Sequence, residues 1–217
     1  MAAGAYYPIF TDLKGRMCVV VGGGLIAQRK VTTLLKFGAV VKVIAPTLTA
    51  RLADLAARER LTYVARRFRP ADVRGAWLIY AATDEQSINE AVFKTAAAKR
   101  IFANVVDQQS LCSFVAPAIL KRGELVIAIS TSGGSPSLSK RVRQDLEQWI
   151  GPDYGRMLRV LKSVRPAAKR RLPTYADRQR FFTRLINGPV FQLVREGKAA
   201  AASRRAHELL EEATSRG

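Results

Sequence analysis

The chain has 217 residues, 48% of them apolar, which is enough for one good core plus a smaller second unit and rules out wholesale disorder. No window approaches the run of about 20 apolar residues that a bilayer span needs; the opening MAAGAYYPIFTDLKG lacks the basic and apolar regions of a secretory leader, and two scattered cysteines, Cys18 and Cys112, make neither a disulfide framework nor a zinc site. Lys and Arg total 36 against 17 Asp and Glu, a net of +19 spread along the chain; such a field attracts polyanions, from nucleic acid to small polycarboxylates, without choosing among them.

The first predicted strand is MCVVV, Met17 to Val21, apolar throughout as a strand buried on both faces must be, with Cys18 as a small core residue. Gly22-Gly23-Gly24 follows. The helix after it, LIAQRKVTTLLKFG, places Ile26, Val31, Leu34 and Leu35 near helical spacing and ends at Gly38 as C-cap. VVKVIAP is a second strand that Pro46 stops, and TLTARLADLAARER is a helix capped by Thr47 or Thr49. LTYVARRF and WLIYAAT are the third and fourth strands. DEQSINEAVFKTAAAKR is a loop and helix with Ser87 as N-cap, and IFANVV is the fifth strand. Strands alternating with helices imply a parallel sheet of βαβ units, a Rossmann-like α/β fold.

After Asp107 the alternation stops. AILKRGELVIAIS reads as two strands around Arg122-Gly123, and TSGGSPSLSKRVRQDLEQWI as a small-residue loop and an amphipathic helix, with Ser135 as N-cap and Pro136 at the first helical position. From Gly151 onward the pattern is all-helical, with breaks expected at Pro166, Pro173, Gly188-Pro189 and Gly197. The expected division is a dinucleotide-binding domain over 1–112, a small α+β unit over 113–150 and a helical region over 151–217.

Gly22-Gly23-Gly24-Leu25-Ile26-Ala27 fits G-x-G-x-x-[GA] in the context that gives the motif its meaning, after a strand and opening a helix. The first glycine makes the tight turn, the second admits the pyrophosphate, and Ala27 lets the helix lie close to the sheet. Unpaired N–H groups at the helix start then face the phosphates. The acid expected about 20 residues further on, to hold the ribose hydroxyls, is missing. Lys42, Ile44, Ala45, Pro46 and Thr47 stand there, so these residues leave NAD against NADP open, and Lys42 or Arg51 would suit a 2′-phosphate.

Taken together, YYPIFTDLKGRMCVVVGGGLIAQRK, the AATD at 81–84, NVVDQQSLCSF at 104–114 and PAILKRGELVIAISTSGGSPSLSKRVRQDLE at 117–147 resemble the precorrin-2 dehydrogenase / sirohydrochlorin ferrochelatase family, the N-terminal part of siroheme synthases. The match runs over about residues 6–150, and NVVD with the IAIST-x-G-x-SP stretch is its specific part. The resemblance implies NAD-dependent oxidation of precorrin-2 to sirohydrochlorin, with some members also inserting Fe²⁺, and a homodimer whose interface is the segment after the Rossmann half; the cytoplasm is expected from the opening residues and the lack of a long apolar run. By motif position it implies that Gly22, Gly24, Leu25 and Ile26 line the pyrophosphate, Pro46 and Thr47 the adenosine, and Thr83 the nicotinamide side. Asp107, the NVVD aspartate, is then the catalytic candidate. The chain departs from the family at Gln109, where Pro is usual, and no methyltransferase segment is expected.

An octacarboxylate tetrapyrrole suits a basic protein, since each carboxylate leaving water needs a cation or donor. Candidates are Lys121, Arg122, Lys140, Arg141 and Arg143, together with Thr131, Ser132 and Ser135 in the loop before the helix. Dehydrogenation also needs a proton acceptor within hydrogen-bond reach. Asp107, just past the fifth strand at the sheet's carboxyl edge, is placed for that, though a turn-capping Asp is the plainer reading. No resident metal is expected, because the single histidine, His207, has no companions at ligand spacing. A nucleotide-sensing Rossmann module without catalysis remains the alternative. Nucleic-acid binding would rest on Arg170, Arg171, Tyr175, Arg178, Arg180, Phe181 and Phe182, of which the two phenylalanines read better as helix core.

Overall fold

The computed structural model describes residues 6–215. The first residues of the stretch read for a leader, and the outermost residues of the first and last expected domains, lie outside it. Contacts divide the chain into two compact units, Met1–Ala116 with Ser132–Gly134, and Pro117–Thr131 with Ser135–Gly217. Where three parts are expected from the sequence, the hairpin and its helix cluster with the helical tail. The first unit extends past residue 112 because Ser113 and Phe114 remain tied to the last strand: Ser113 N–H donates to Ala103 O at 2.8 Å, and Asn104 Nδ2 to Phe114 O at 3.0 Å.

In the first unit β1 (Met17–Val21), β2 (Val40–Ile44), β3 (Thr62–Val64), β4 (Leu78–Ala81) and β5 (Phe102–Val105) form one sheet in the order β3-β2-β1-β4-β5. All pairings are parallel, so every strand ends at the same edge, and Val21 stands level with Ile44 on one side and Ala81 on the other. The unbroken apolar run of β1 has its cause in this arrangement. Val19 and Val21 pack on one face with Ile79, Val92 and Ala96, while Cys18 and Val20 pack on the other with Ala27, Val31 and Val43. Burying both faces of the strand leaves no side for polar residues.

Helix α1 (Leu25–Lys36) follows β1 and α2 (Ala50–Ala57) follows β2, with Thr49 Oγ1 accepting from Leu52 N–H as N-cap. Gly38, one residue past the C-cap Phe37, takes the left-handed conformation (φ 77°) that closes α1. Helix α3 (Gln86–Ala98) corrects one expectation: it starts one residue before Ser87, and Glu85 is its N-cap without a side-chain bond. Thr83 orders this entry instead, its Oγ1 accepting from Glu85 N–H at 3.2 Å and donating to Asn89 Oδ1 at 2.9 Å. The third strand is also shorter than LTYVARRF suggests. Past Val64 the chain is held by a side chain, with the Arg66 guanidinium on both oxygens of Asp72 at 2.6 and 2.8 Å.

In the second unit β6 (Ala118–Arg122) and β7 (Leu125–Ile129) form an antiparallel hairpin, followed by α4 (Pro136–Trp149), α5 (Pro152–Arg171), α6 (Tyr175–Asn187), α7 (Pro189–Arg195) and α8 (Ala199–Thr214). Ser135 caps α4 with Pro136 behind it, as its sequence reads. The break expected at Pro166 does not occur, and α5 runs through it for 20 residues. An interior proline costs about 3 kcal/mol, but Val160, Val164 and Ala168 on this helix are all buried in the unit's core beside Leu185, Val194 and Leu209, and that packing outweighs it. Phe181 is 4% exposed and Phe182 packs on the same core, so two of the three aromatics considered for a nucleic-acid surface are spent inside, and Tyr175 alone of them is exposed.

Candidate functional site

A pocket of about 640 Å³ opens at the carboxyl edge of the parallel sheet. Gly22, Gly24, Leu25, Ile26, Pro46, Thr47 and Thr83, the seven residues expected to hold a coenzyme, all line it. It lies where β1 and β4 are neighbours and their following helices pack on opposite faces of the sheet, the switch point at which open α/β sheets take ligands.

Each of the three glycines has its own reason. Gly22 has φ 122°, and a Cβ there would stand 2.1 Å from Ala82 O. At Gly23 a Cβ would stand 1.9 Å from Thr47 O, a constraint the G-x-G pattern does not report because Gly23 fills its free position. Gly24 is different: nothing lies within 4 Å of its Cβ position. It is the N-cap of α1 and offers no side chain to the first-turn N–H groups. A cradle whose only filling would be a methyl group, floored by helix-start N–H donors, fits a pyrophosphate. Around it, Thr49 N–H donates to Gly23 O at 2.9 Å, Thr49 Oγ1 to Gln28 Oε1 at 2.7 Å, and Tyr63 Oη to Pro46 O at 3.1 Å, fixing the turn after β2 against the glycine turn.

The cations considered for a 2′-phosphate do not line this pocket. Lys42 Nζ reaches Asp72 O at 3.4 Å, and Arg51 pairs with Asp54 on the surface of α2. Arg67, after β3, does line it and meets Glu85 at 3.3 Å. Neither residue stands out in the sequence, because only the strand order brings the two loops together.

Asp107 sits on the turn after β5 and does not line this pocket. Its φ of 60° is left-handed, which Asp tolerates better than most residues. The turn is held by Val106 N–H to Ala81 O, by Gln108 N–H to Val105 O, and by the Cys112 thiol, whose Sγ lies 3.2–3.3 Å from Val105 N, Val105 O and Gln108 O. Burial pushes the Cys112 thiol above its ordinary value. Lys30 on α1 is half-buried with its ammonium 4.9 Å from the centre of the Tyr80 ring. Burial lowers its pKa, while the charges of Cys112 and Asp107 oppose that shift. A cation therefore lies within electrostatic reach of the Asp107 carboxylate, a feature the glycine motif gave no reason to look for. Gln109, where the family has Pro, donates from Nε2 to Ser132 O at 2.9 Å.

The residues expected to meet a polycarboxylate have mixed roles. Thr131 and Ser135 bond to each other, Ser135 N–H donating to Thr131 Oγ1 at 3.0 Å, and Ser135 Oγ accepts from Leu138 N–H. Arg122 donates from Nε to Ile150 O at 2.9 Å and from Nη2 to Glu147 O, tying the hairpin to the end of α4. Lys140 is exposed on α4, and Ser132 belongs to the first unit with Asp107. Among the described residues no cluster of His, Cys, Asp and Glu could hold a metal ion; His207 is exposed, with Nδ1 2.9 Å from Ser203 O. Among them, too, no helix is long and apolar enough to cross a membrane.

Three family models match. One described as "Putative NAD(P)-binding" covers residues 9–118, one described as sirohaem biosynthesis protein central covers 122–148, and one described as sirohaem synthase dimerisation region covers 153–210. The last falls on the helical tail, C-terminal to the 113–150 segment expected to form an interface. Similar curated proteins include siroheme synthase of Thioalkalivibrio sulfidiphilus, 40% identical over 206 residues and 95% of this chain, and siroheme synthase of Mannheimia succiniciproducens, 37% identical over 92% of it. The chain spans 42% of the length of each. Among solved structures, "SirC, precorrin-2 dehydrogenase" superposes with a TM-score of 0.74 at 28% identity, covering 95% of this chain and 100% of that one.

Proposed function

Since the chain belongs to the precorrin-2 dehydrogenase / sirohydrochlorin ferrochelatase family, we propose that it oxidises precorrin-2 to sirohydrochlorin with NAD, as a homodimer in the cytoplasm. The observation that carries this reading is the switch-point pocket, lined by all seven residues the family motif points to and built around a glycine whose Cβ position is empty. Bound NAD would supply the hydride acceptor. The rest of the work falls to side chains. Gly24 and the N–H groups of the first turn of α1 hold the pyrophosphate, Pro46 and Thr47 border the adenosine, and Ala27, fully buried, keeps α1 close to the sheet.

Removing a hydride from the tetrapyrrole leaves a proton, and Asp107 Oδ receives it. The Cys112-braced turn keeps that carboxylate in place. Exposed cations such as Lys140 are available to substrate carboxylates, while Thr131, Ser135 and Arg122 shape the loop and the hairpin. A nucleotide-sensing module would account for the first unit alone, whereas the family match extends through the second.

The test is incubation of the purified protein with precorrin-2 and NAD while NADH is followed, with Fe²⁺ then added as substrate for the insertion step. Asp107→Ala is expected to abolish turnover and leave NAD binding intact. Absence of NADH with the wild-type chain refutes the function. Undiminished turnover in Asp107→Ala removes that carboxylate from the mechanism.

A further inference from the structure

The tip of β2 carries Ala45, Pro46 and Thr47 where a dinucleotide fold ordinarily places an acid for the adenosine ribose diol. The charged side chains that line the pocket come from two other loops. Arg67 follows β3, and Asp84 and Glu85 follow β4. Strands β2 and β1 lie between β3 and β4, so the Arg67–Glu85 pair, 3.3 Å from Nη2 to Oε2, bridges the carboxyl edge above the turns that follow those two inner strands. Glu85 is two residues from Thr83, yet its carboxylate turns back toward β3 to meet the arginine. Its backbone is fixed by the bond from its N–H to Thr83 Oγ1, and Thr83 in turn is bonded to Asn89. Both charged ends remain well exposed, 71% for Arg67 and 46% for Glu85, so the pair contributes little to stability and its partners are free to exchange for a ligand.

We infer that Glu85, oriented by Arg67, takes the part of the missing β2 acid and sets the preference for NAD over NADP. A ribose diol donates hydrogen bonds to a carboxylate, whereas a 2′-phosphate is repelled by it. One arginine against two carboxylates leaves this rim net negative, which is unfavourable for a second phosphate. With Glu85 neutralised the rim loses its net negative charge, and Arg67 loses the carboxylate it pairs with and can turn to a second phosphate. This inference rests on the coenzyme reading of the pocket, and its test keeps the two apart.

Dissociation constants for NAD and for NADP are measured by calorimetry on the full chain, for the wild type, Glu85→Gln, Arg67→Ala and the double variant, with thermal unfolding as a check on folding. The wild type is expected to bind NAD more tightly than NADP. Glu85→Gln is expected to shift that ratio toward NADP by about tenfold, the scale of one charge-assisted hydrogen bond lost at a partly exposed site. Arg67→Ala keeps the preference for NAD, and the double variant loses the gain in NADP affinity. An unchanged ratio in Glu85→Gln overturns the inference, as does a wild type that prefers NADP through Arg67. A wild type that binds neither coenzyme overturns the reading of the pocket itself.

Discussion

Replacing Gly23 and Gly24 by alanine, one at a time, separates a glycine required by the fold from one required by the ligand. At Gly23 the new Cβ would lie 1.9 Å from Thr47 O, while an unstrained carbon–oxygen contact is about 3.3 Å, so the backbone must yield by about 1.4 Å. The atom in the way is a carbonyl of the turn that Thr49 N–H pins to Gly23 O, and it cannot swing aside as a flexible side chain would. A loss of about 3 kcal/mol in unfolding free energy is expected, at the upper end for overpacking a well-filled site. At Gly24 the backbone (φ −82°, ψ −172°) suits any residue and the Cβ position is clear to 4 Å. Alanine is a poorer N-cap than glycine but stiffens the unfolded chain, so stability should stay within about 1 kcal/mol of wild type. Its methyl group, however, occupies the cradle, and NAD affinity should fall about 100-fold, close to 2.7 kcal/mol. Urea unfolding and calorimetry on the two variants supply both numbers. If Gly23→Ala unfolds like the wild type, or Gly24→Ala binds NAD undiminished, the division of labour assigned to this loop is wrong.

Two further perturbations address the first unit. Asp72, 8% exposed, has its pKa lowered chiefly by the Arg66 guanidinium, so its contribution to stability is complete above the ordinary carboxylate value near 4 and is lost as pH falls through the depressed folded value. Asp72→Asn should lower Tm by several degrees at pH 7 and flatten the acid side of a Tm–pH profile; an unaltered acid limb would contradict this. Burial raises the Cys18 thiol to about 11 from an ordinary 9.0, so the folded state keeps a proton that the unfolded state releases. Stability should therefore decline between pH 9 and 11, and Cys18→Ala should remove that decline. Cys18 should also resist alkylation at pH 8 until the chain is unfolded, and rapid labelling of native protein would refute its burial.

What could be read from the residues was what is decided locally. MCVVV, the glycine turn, Thr49 and Ser135 as caps, and Gly38 after α1 each depend on a few neighbours, and each stands where the pattern places it. The expectations that failed depend on distant partners. Pro166 stays helical because α5 packs across the second core. The chain after Val64 leaves the strand where Arg66 turns to Asp72, and α3 starts ahead of Ser87 under the control of Thr83 and Asn89. The candidate site divides in the same way. Its glycines and helix start are contiguous and were legible, whereas Arg67 and Glu85 are 18 positions apart and meet only because β3 and β4 flank the inner strands. Lys30 was hidden for a related reason: its environment is made by Tyr80, Asp107 and Cys112, all distant in the chain.

The glycine turn is gripped from two directions, by the Ala82 carbonyl under Gly22 and the Thr47 carbonyl under Gly23. A mould held in this way is cast before anything enters it. Loading should proceed with little entropic toll for organising the loop, and crystals of the empty and filled forms should superpose closely at residues 21–27. The same stiffness restricts evolutionary drift, since a side chain can be added at Gly22 or Gly23 only if the β2 or β4 loop retreats in concert.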